Sequence, residues 1–241
     1  MRRIQLTISA LGLICLLPGA DDSLQKVQIT KTERLDFPQH GVLRLAHSIG
    51  DVTVEGSDRS DVEITTVKST RIAYLAHERE KASQELEKIH IAAAVKGDQV
   101  VITTEVPRHH AWIAAGASAG DLEVEYRIQA PRDARLVVHH DSGGVYVDNL
   151  ANDIDVTMCR GELLLHLPEA GEYSIHAAAD IGSVTSDFPG QETHRFWRVG
   201  HRLANENSSA PHKLNLKIGF GDILILKTRI PAAPESAIAA R

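Results

Sequence analysis

The sequence predicts an all-β chain: a β-solenoid, single-stranded and β-helix-like with right-handed coiling favoured, carrying one amphipathic helix and a hairpin as an insertion. Two observations predict it. First, two alternating apolar runs joined through a glycine recur five times. They read LAHSIGDVTV at 45–54, VHHDSGGVYV at 138–147, VTMCRGELLL at 156–165, AAADIGSVTS at 177–186 and LKIGFGDILI at 216–225. Second, the spacing inside the phrase is constant. Five residues before Gly50, Gly143, Gly161, Gly182 and Gly221 stand Leu45, Val138, Val156, Ala177 and Leu216. Two residues after them stand Val52, Val145, Leu163, Val184 and Ile223.

Alternation with period two turns one side of each run inward and the other outward. A glycine between two such runs marks a corner between strands, where backbone angles closed to other residues are needed. A second corner follows about ten residues later, marked by the turn formers Ser60-Asp61, Asn152-Asp153 and Gly171-Glu172. Gly143 to Gly161 spans 18 residues and Gly161 to Gly182 spans 21, the length of two strands and two corners. A coil of that size buries its apolar side only by stacking on its neighbours. An ordinary β-sandwich is the plainer alternative. The third residue before each glycine favours stacking: His47, His140, Met158, Ala179 and Ile218 fall in one inward column. The two histidines there are exceptions. Buried neutral, they would oppose folding in mild acid, where thirteen protonating histidines would also promote self-association.

In chain order, residues 1–20 read as a signal peptide, with Arg2 and Arg3 ahead of an apolar stretch to Leu17 and then Pro18-Gly19-Ala20. The stretch is short for a membrane span. Cys15 offers lipidation as an option, although Ile14 before it is not the small residue such signals favour. Cleavage after Ala20 removes both arginines, lowers the net charge from −6 by two to −8, and leaves Cys159 as the sole cysteine. No intramolecular disulfide is then available. Cys159 reads as a small half-buried strand residue.

Residues 21–228 form the solenoid domain. Strands are expected near 27–32 and 41–45, and 52–54 with 62–66 complete a first coil. The insertion covers about 74–106. Residues 74–88 lack glycine and proline and set Leu75, Ala82, Leu86 and Ile89 on one stripe, an amphipathic helix. Ile89, Ile91, Ala93 and Val95 alternate into Lys96-Gly97-Asp98, and Val100, Ile102 and Thr104 return, a hairpin. A loop of small residues spans 107–120. The strand at 122–128 leads back to the repeat. Residues 190–212 are polar and expected as an insertion or long loop. Residues 214–226 close the array, and 229–241 form a disordered Ala/Pro-rich tail.

This order of pieces resembles the bacterial putative-adhesin family of β-strand-repeat domains of unknown function. The resemblance covers about 40–228. It rests on SIGDVTVEG at 48–56, the helix-then-hairpin insertion, YRIQAP at 126–131, VTSDFP at 184–189 and GFGDILILK at 219–227. It implies a β-solenoid on an exported or membrane-anchored protein, and it brings no catalytic residues. Here Arg160, Ile181 and Phe220 precede glycines where the family's corners are usually polar.

Composition narrows the chemistry. Aromatic residues are 4% of the chain, too few for stacking platforms, and no basic cluster matches a row of phosphates, which argues against nucleic acid. No HExxH, CxxC, phosphate loop or nucleophile elbow occurs. The histidine pairs His109-His110 and His139-His140 are the metal candidates of last resort, because adjacent strand residues point to opposite faces and each pair supplies one ligand easily. Asp153, Asp155 and Glu162 are the acids a sugar-polymer-cleaving β-helix enzyme would need to cluster. No catalytic residue and no cofactor is assigned. The expected role is a non-catalytic module for adhesion or envelope-surface binding, exported to periplasm, cell surface or medium. It is not transmembrane after signal cleavage, and its partner is an envelope protein or a surface glycan, with self-association as an option. The alternatives are that enzyme and an envelope assembly protein.

Overall fold

The computed structural model describes residues 23–105, 122–169, 171–194, 200–205, 207 and 209–228. The signal peptide at 1–20, the whole 107–120 loop with His109 and His110, and the tail at 229–241 lie outside the described residues. Those described are all-β with one helix. The elements are β1 (Gln28–Asp36), β2 (Val42–Ile49), β3 (Asp51–Ser57), β4 (Asp61–Thr70), α1 (Arg79–Glu87), β5 (His90–Lys96), β6 (Gln99–Glu105) and β7 (Leu122–Pro131). They continue with β8 (Arg135–Asp148), β9 (Ile154–Pro168), β10 (Tyr173–Ile181), β11 (Val184–Ser186), β12 (Gln191–His194), β13 (His201–Asn205) and β14 (His212–Thr228).

Five rungs pair in parallel: β2 with β3, then β8, β9, β14, and last β10 with β11. Each rung turns at its glycine, and the burial pattern records the turn. In β9, Ile154, Val156 and Met158 are buried, and then Leu163, Leu165 and Leu167, so the inward parity switches across Gly161. A straight strand keeps one parity. A strand that bends through a corner changes it and keeps both limbs facing one interior. β14 does the same with Leu214, Leu216 and Ile218, then Ile223 and Ile225. The inward positions before and after the glycines (Val138, Val156 and Ala177; Val145, Leu163 and Val184) are all buried.

The order of the rungs is not chain order. β14 lies between β9 and β10, so the C-terminal strand is an inner rung and does not close the array at its end. The four residues between β9 and β10 must therefore step over one rung, roughly 10 Å at the usual strand spacing, which four residues of chain can span. Glu169 N donates to Thr228 O on the way (3.2 Å).

At its first rung the sheet divides. β2 pairs on its outer side with β6, and β6 with β5, while β3 pairs with β7, β7 with β4 and β4 with β1. β4 is antiparallel to β7, so 62–66 do not complete a first coil as the sequence had suggested. The helix begins at Arg79 and not at Tyr74, because Tyr74 exchanges backbone hydrogen bonds with Gln25 and belongs to the sheet margin. Ala82, Leu86 and the following Ile89 are buried, which docks the helix through its apolar stripe. The hairpin β5–β6 stands where the alternation placed it. Residues 190–212 hold more than a loop: β13 pairs antiparallel to the free side of β10 and β12 to β13, with Leu203 buried. An unfilled sheet edge recruited a segment whose polar composition concealed two short strands.

Candidate functional site

The repeat glycines build one corner. In β8, β9 and β14 they are register partners, Gly143 with Gly161 and Gly161 with Gly221. Gly50 stacks before Gly143, and Gly182 stacks on Gly221. All five have positive φ. At Gly161 (φ 138°) two constraints coincide: an L side chain rarely adopts that angle, and a Cβ would overlap the carbonyl oxygen of Gly143 on the next rung. Each rung closes down on its neighbour's backbone there.

After Gly50 and Gly221 the next residue is an aspartate that caps the neighbouring rung. Asp51 Oδ1 accepts from Gly144 N (2.9 Å). Asp222 Oδ1 accepts from Ser183 N (2.8 Å) and Ser183 Oγ (2.6 Å). These bonds hold the Asp222 carboxyl below the usual carboxylate range, the side-chain bond contributing most. Asp222 and Glu162 are register neighbours, so two exposed carboxylates stand side by side on this ridge. The Tyr146 ring lies over the backbone of Gly144. Burial raises its phenol, and the nearby Asp51 and Glu162 charges add to the effect.

The residue before the glycine makes the outer margin of the corner at Ser142, Arg160, Phe220 and Ile181, all exposed, whereas Ile49 is half-buried against the core. Phe220 pairs with Ile181 on one side and with Arg160 on the other. Phe220 is 56% exposed and Ile181 45%, two of the five large apolar side chains that stand out among the described residues. The signal for this pair was in the sequence as hydrophobic residues at corners where polar ones are usual, but exposure could not be read from composition.

The histidine pair in β8 separates as the pleat requires: His139 is exposed and His140 is buried. Ser48, not His47, pairs with His140, because β2 shifts register between Ala46 and Ser48. The extra residue absorbs the bend into the corner, and the side chain of His47 lies outside the described ones. Ser48 Oγ and His140 Nδ1 are 2.8 Å apart. Among the described residues no group of three or more His, Cys, Asp or Glu could hold a metal ion. The acids weighed for sugar chemistry do not gather. Asp153 accepts from Lys213 N (2.9 Å) at the start of β9, whereas Glu162 lies beyond the corner. Cys159 is exposed, not half-buried. No helix among the described residues is long and apolar enough to cross a membrane.

No family model matches the chain, and no curated protein does. Among solved structures it is similar to a putative cell adhesion protein from Clostridium sporogenes, at 15% identity and a TM-score of 0.48, over 83% of this chain and 100% of that one. It is also similar to a putative adhesin from Parabacteroides merdae, at 9% identity and a TM-score of 0.28, over 66% and 67%. A putative adhesin from Bacteroides fragilis follows at 9% identity and a TM-score of 0.27, over 82% and 97%. These neighbours bear adhesin or cell-adhesion names.

Proposed function

We propose that this chain is a non-catalytic adhesion or envelope-surface module of an exported protein, its parallel rungs a β-solenoid and its corner ridge the contact surface. The observation that carries the reading is the exposed pair of Phe220 and Ile181, paired in register on neighbouring rungs. Adjacent apolar side chains on a rigid ladder are a ready contact for another surface. The Glu162 and Asp222 carboxylates across the corner, and a net charge of −6, suit a partner whose apolar patch has a basic rim. The partner is an envelope protein or a surface glycan, and the aliphatic Ile181 beside Phe220 favours protein.

The test is binding of the labelled full chain to cell-envelope extracts, beside a variant carrying Phe220→Ser and Ile181→Ser. The variant is expected to lose most of the binding while its melting temperature is unchanged, since both side chains are exposed. Equal binding by the folded variant would remove the ridge from the reading. Release of new reducing ends from envelope polysaccharide by the pure chain would overturn its non-catalytic part.

A further inference from the structure

We propose that His140 is a pH-sensitive latch on the seam between β2 and β8, closed while its ring is neutral and released when the ring takes a second proton. The inference stands apart from the binding reading and needs no partner.

His140 is 2% exposed, in the inward column where β9, β14 and β10 carry Met158, Ile218 and Ala179. Its neighbour on β2 is Ser48, 1% exposed, at the point where the β2–β8 register shifts. The neutral ring needs little there. Nδ1 shares one hydrogen bond with Ser48 Oγ, and Nε2 has no partner among the described residues. With Nδ1 as the donor, Nε2 is a bare lone pair, the less costly buried atom to leave alone. A protonated ring has two N–H donors and a full charge. The Ser48 hydroxyl and the backbone at Ser142 and Gly143 can meet its donors, but the charge itself would be placed in an apolar column, at 2% exposure.

The groups that face the ring bear on this in both directions. Burial lowers its affinity for a proton and outweighs everything else. Asp141 on its own strand, Asp51 on β3, and the backbone of Ser142 and Gly143 favour the charged form. Met158 on β9 and Ser48 on β2 carry no charge. The net direction is down from the ordinary 6.5. The folded state therefore binds this proton less readily than the unfolded chain. The stabilisation is complete above the unfolded value of about 6.5 and falls away as pH drops below it.

The seam is also where release would be felt locally. Among the described residues, the register of the parallel stack shifts only between β2 and β8, at Ala46/Ser48 and Ser48/Ile49, and the corner just beyond is where Gly50 meets Gly143. Ser142 O accepts from Gly50 N there (2.8 Å), one residue from the ring's own turn.

The experiment follows the individual histidine rings of the full chain by NMR between pH 8 and 5, with thermal melts at pH 7.5 and 5.5. A His140→Met variant, which copies the residue at the same place on β9, is melted alongside. The expected result has three parts. The His140 ring titrates below 6.5 or stays neutral until unfolding, the wild-type melting temperature falls on acidification, and His140→Met loses at least half of that fall. A His140 midpoint at or above 6.5 would overturn the latch. So would a His140→Met protein that keeps the whole fall, since other histidines would then be responsible. If that variant does not fold, amide exchange in wild type decides: faster opening at 42–49 and 135–143 than elsewhere in the stack at pH 5.5 supports the seam, and uniform opening refutes it.

Discussion

At the scale of single residues, the corner glycines and the inward column set the sharpest expectations. Gly161→Ala meets both a left-handed backbone angle and the Gly143 carbonyl, so its cost should exceed the ordinary loss of glycine freedom, about 2–4 kcal/mol. Chemical denaturation of the variant checks this, and a loss under about 1 kcal/mol would mean the rungs are not packed as closely as described. Leu163, fully buried two residues on, should cost about 2–5 kcal/mol when cut to alanine. The same positions show what a sequence can disclose. The glycine spacing revealed the corner because steric exclusion leaves glycine alone there. The Ser48–His140 contact stayed hidden because a one-residue shift inside β2 leaves no mark in composition. Exposure of Phe220 and Ile181 depends on which rungs flank them, which periodicity does not encode.

At the scale of elements, Tyr126 ties the two arms into which the sheet divides. It lies buried on β7 and shares a hydrogen bond with the buried Thr104 hydroxyl of β6. Burial pushes its phenol up to about 12, against a smaller lowering by Thr104. The folded state thus resists ionising a group that the unfolded chain ionises near 10. Stability should be intact below that value and decline as pH rises from it towards about 12. Tyr126→Phe strands the Thr104 hydroxyl and should cost about 1–3 kcal/mol at neutral pH while flattening the alkaline decline. Melts of both proteins above about pH 10 test the pair; identical alkaline slopes would refute it. The helix and the β5–β6 hairpin were legible because their apolar periods, 3.6 and 2, differ from each other and run unbroken. The helix start was not, since Tyr74 is claimed by a backbone pairing with the distant Gln25. β12 and β13 were missed because their ladder partner, not their own pattern, makes them strands.

At the scale of the whole molecule, the place of β14 decides how the chain tolerates loss. Deleting 212–241 takes out an inner rung with contacts on both sides, and should abolish cooperative melting. Deleting the β12–β13 hairpin at 191–205 takes away an outer margin and should lower the melting temperature without ending cooperativity. Circular dichroism melts of the two truncations compare them, and a cooperative transition in the first would contradict the rung order. That order is the part of the architecture furthest from the sequence: the five phrases are alike enough to stack in any sequence, and nothing in them says that the last comes fourth.

The same insertion imposes a timetable. A ribosome delivers β10 some thirty residues before β14, yet β10 can join β9's side of the stack only across a strand that has not been made. Until translation reaches the end, Ile175, Ala177 and Ala179 have no permanent neighbour on one flank, and β10 can lie against β9 only in a wrong pairing that must later open. Folding of the final three rungs is therefore a late, non-local event, slow by its long sequence separations. Until β14 is in place, that flank of β10 is a bare strand edge open to wrong partners.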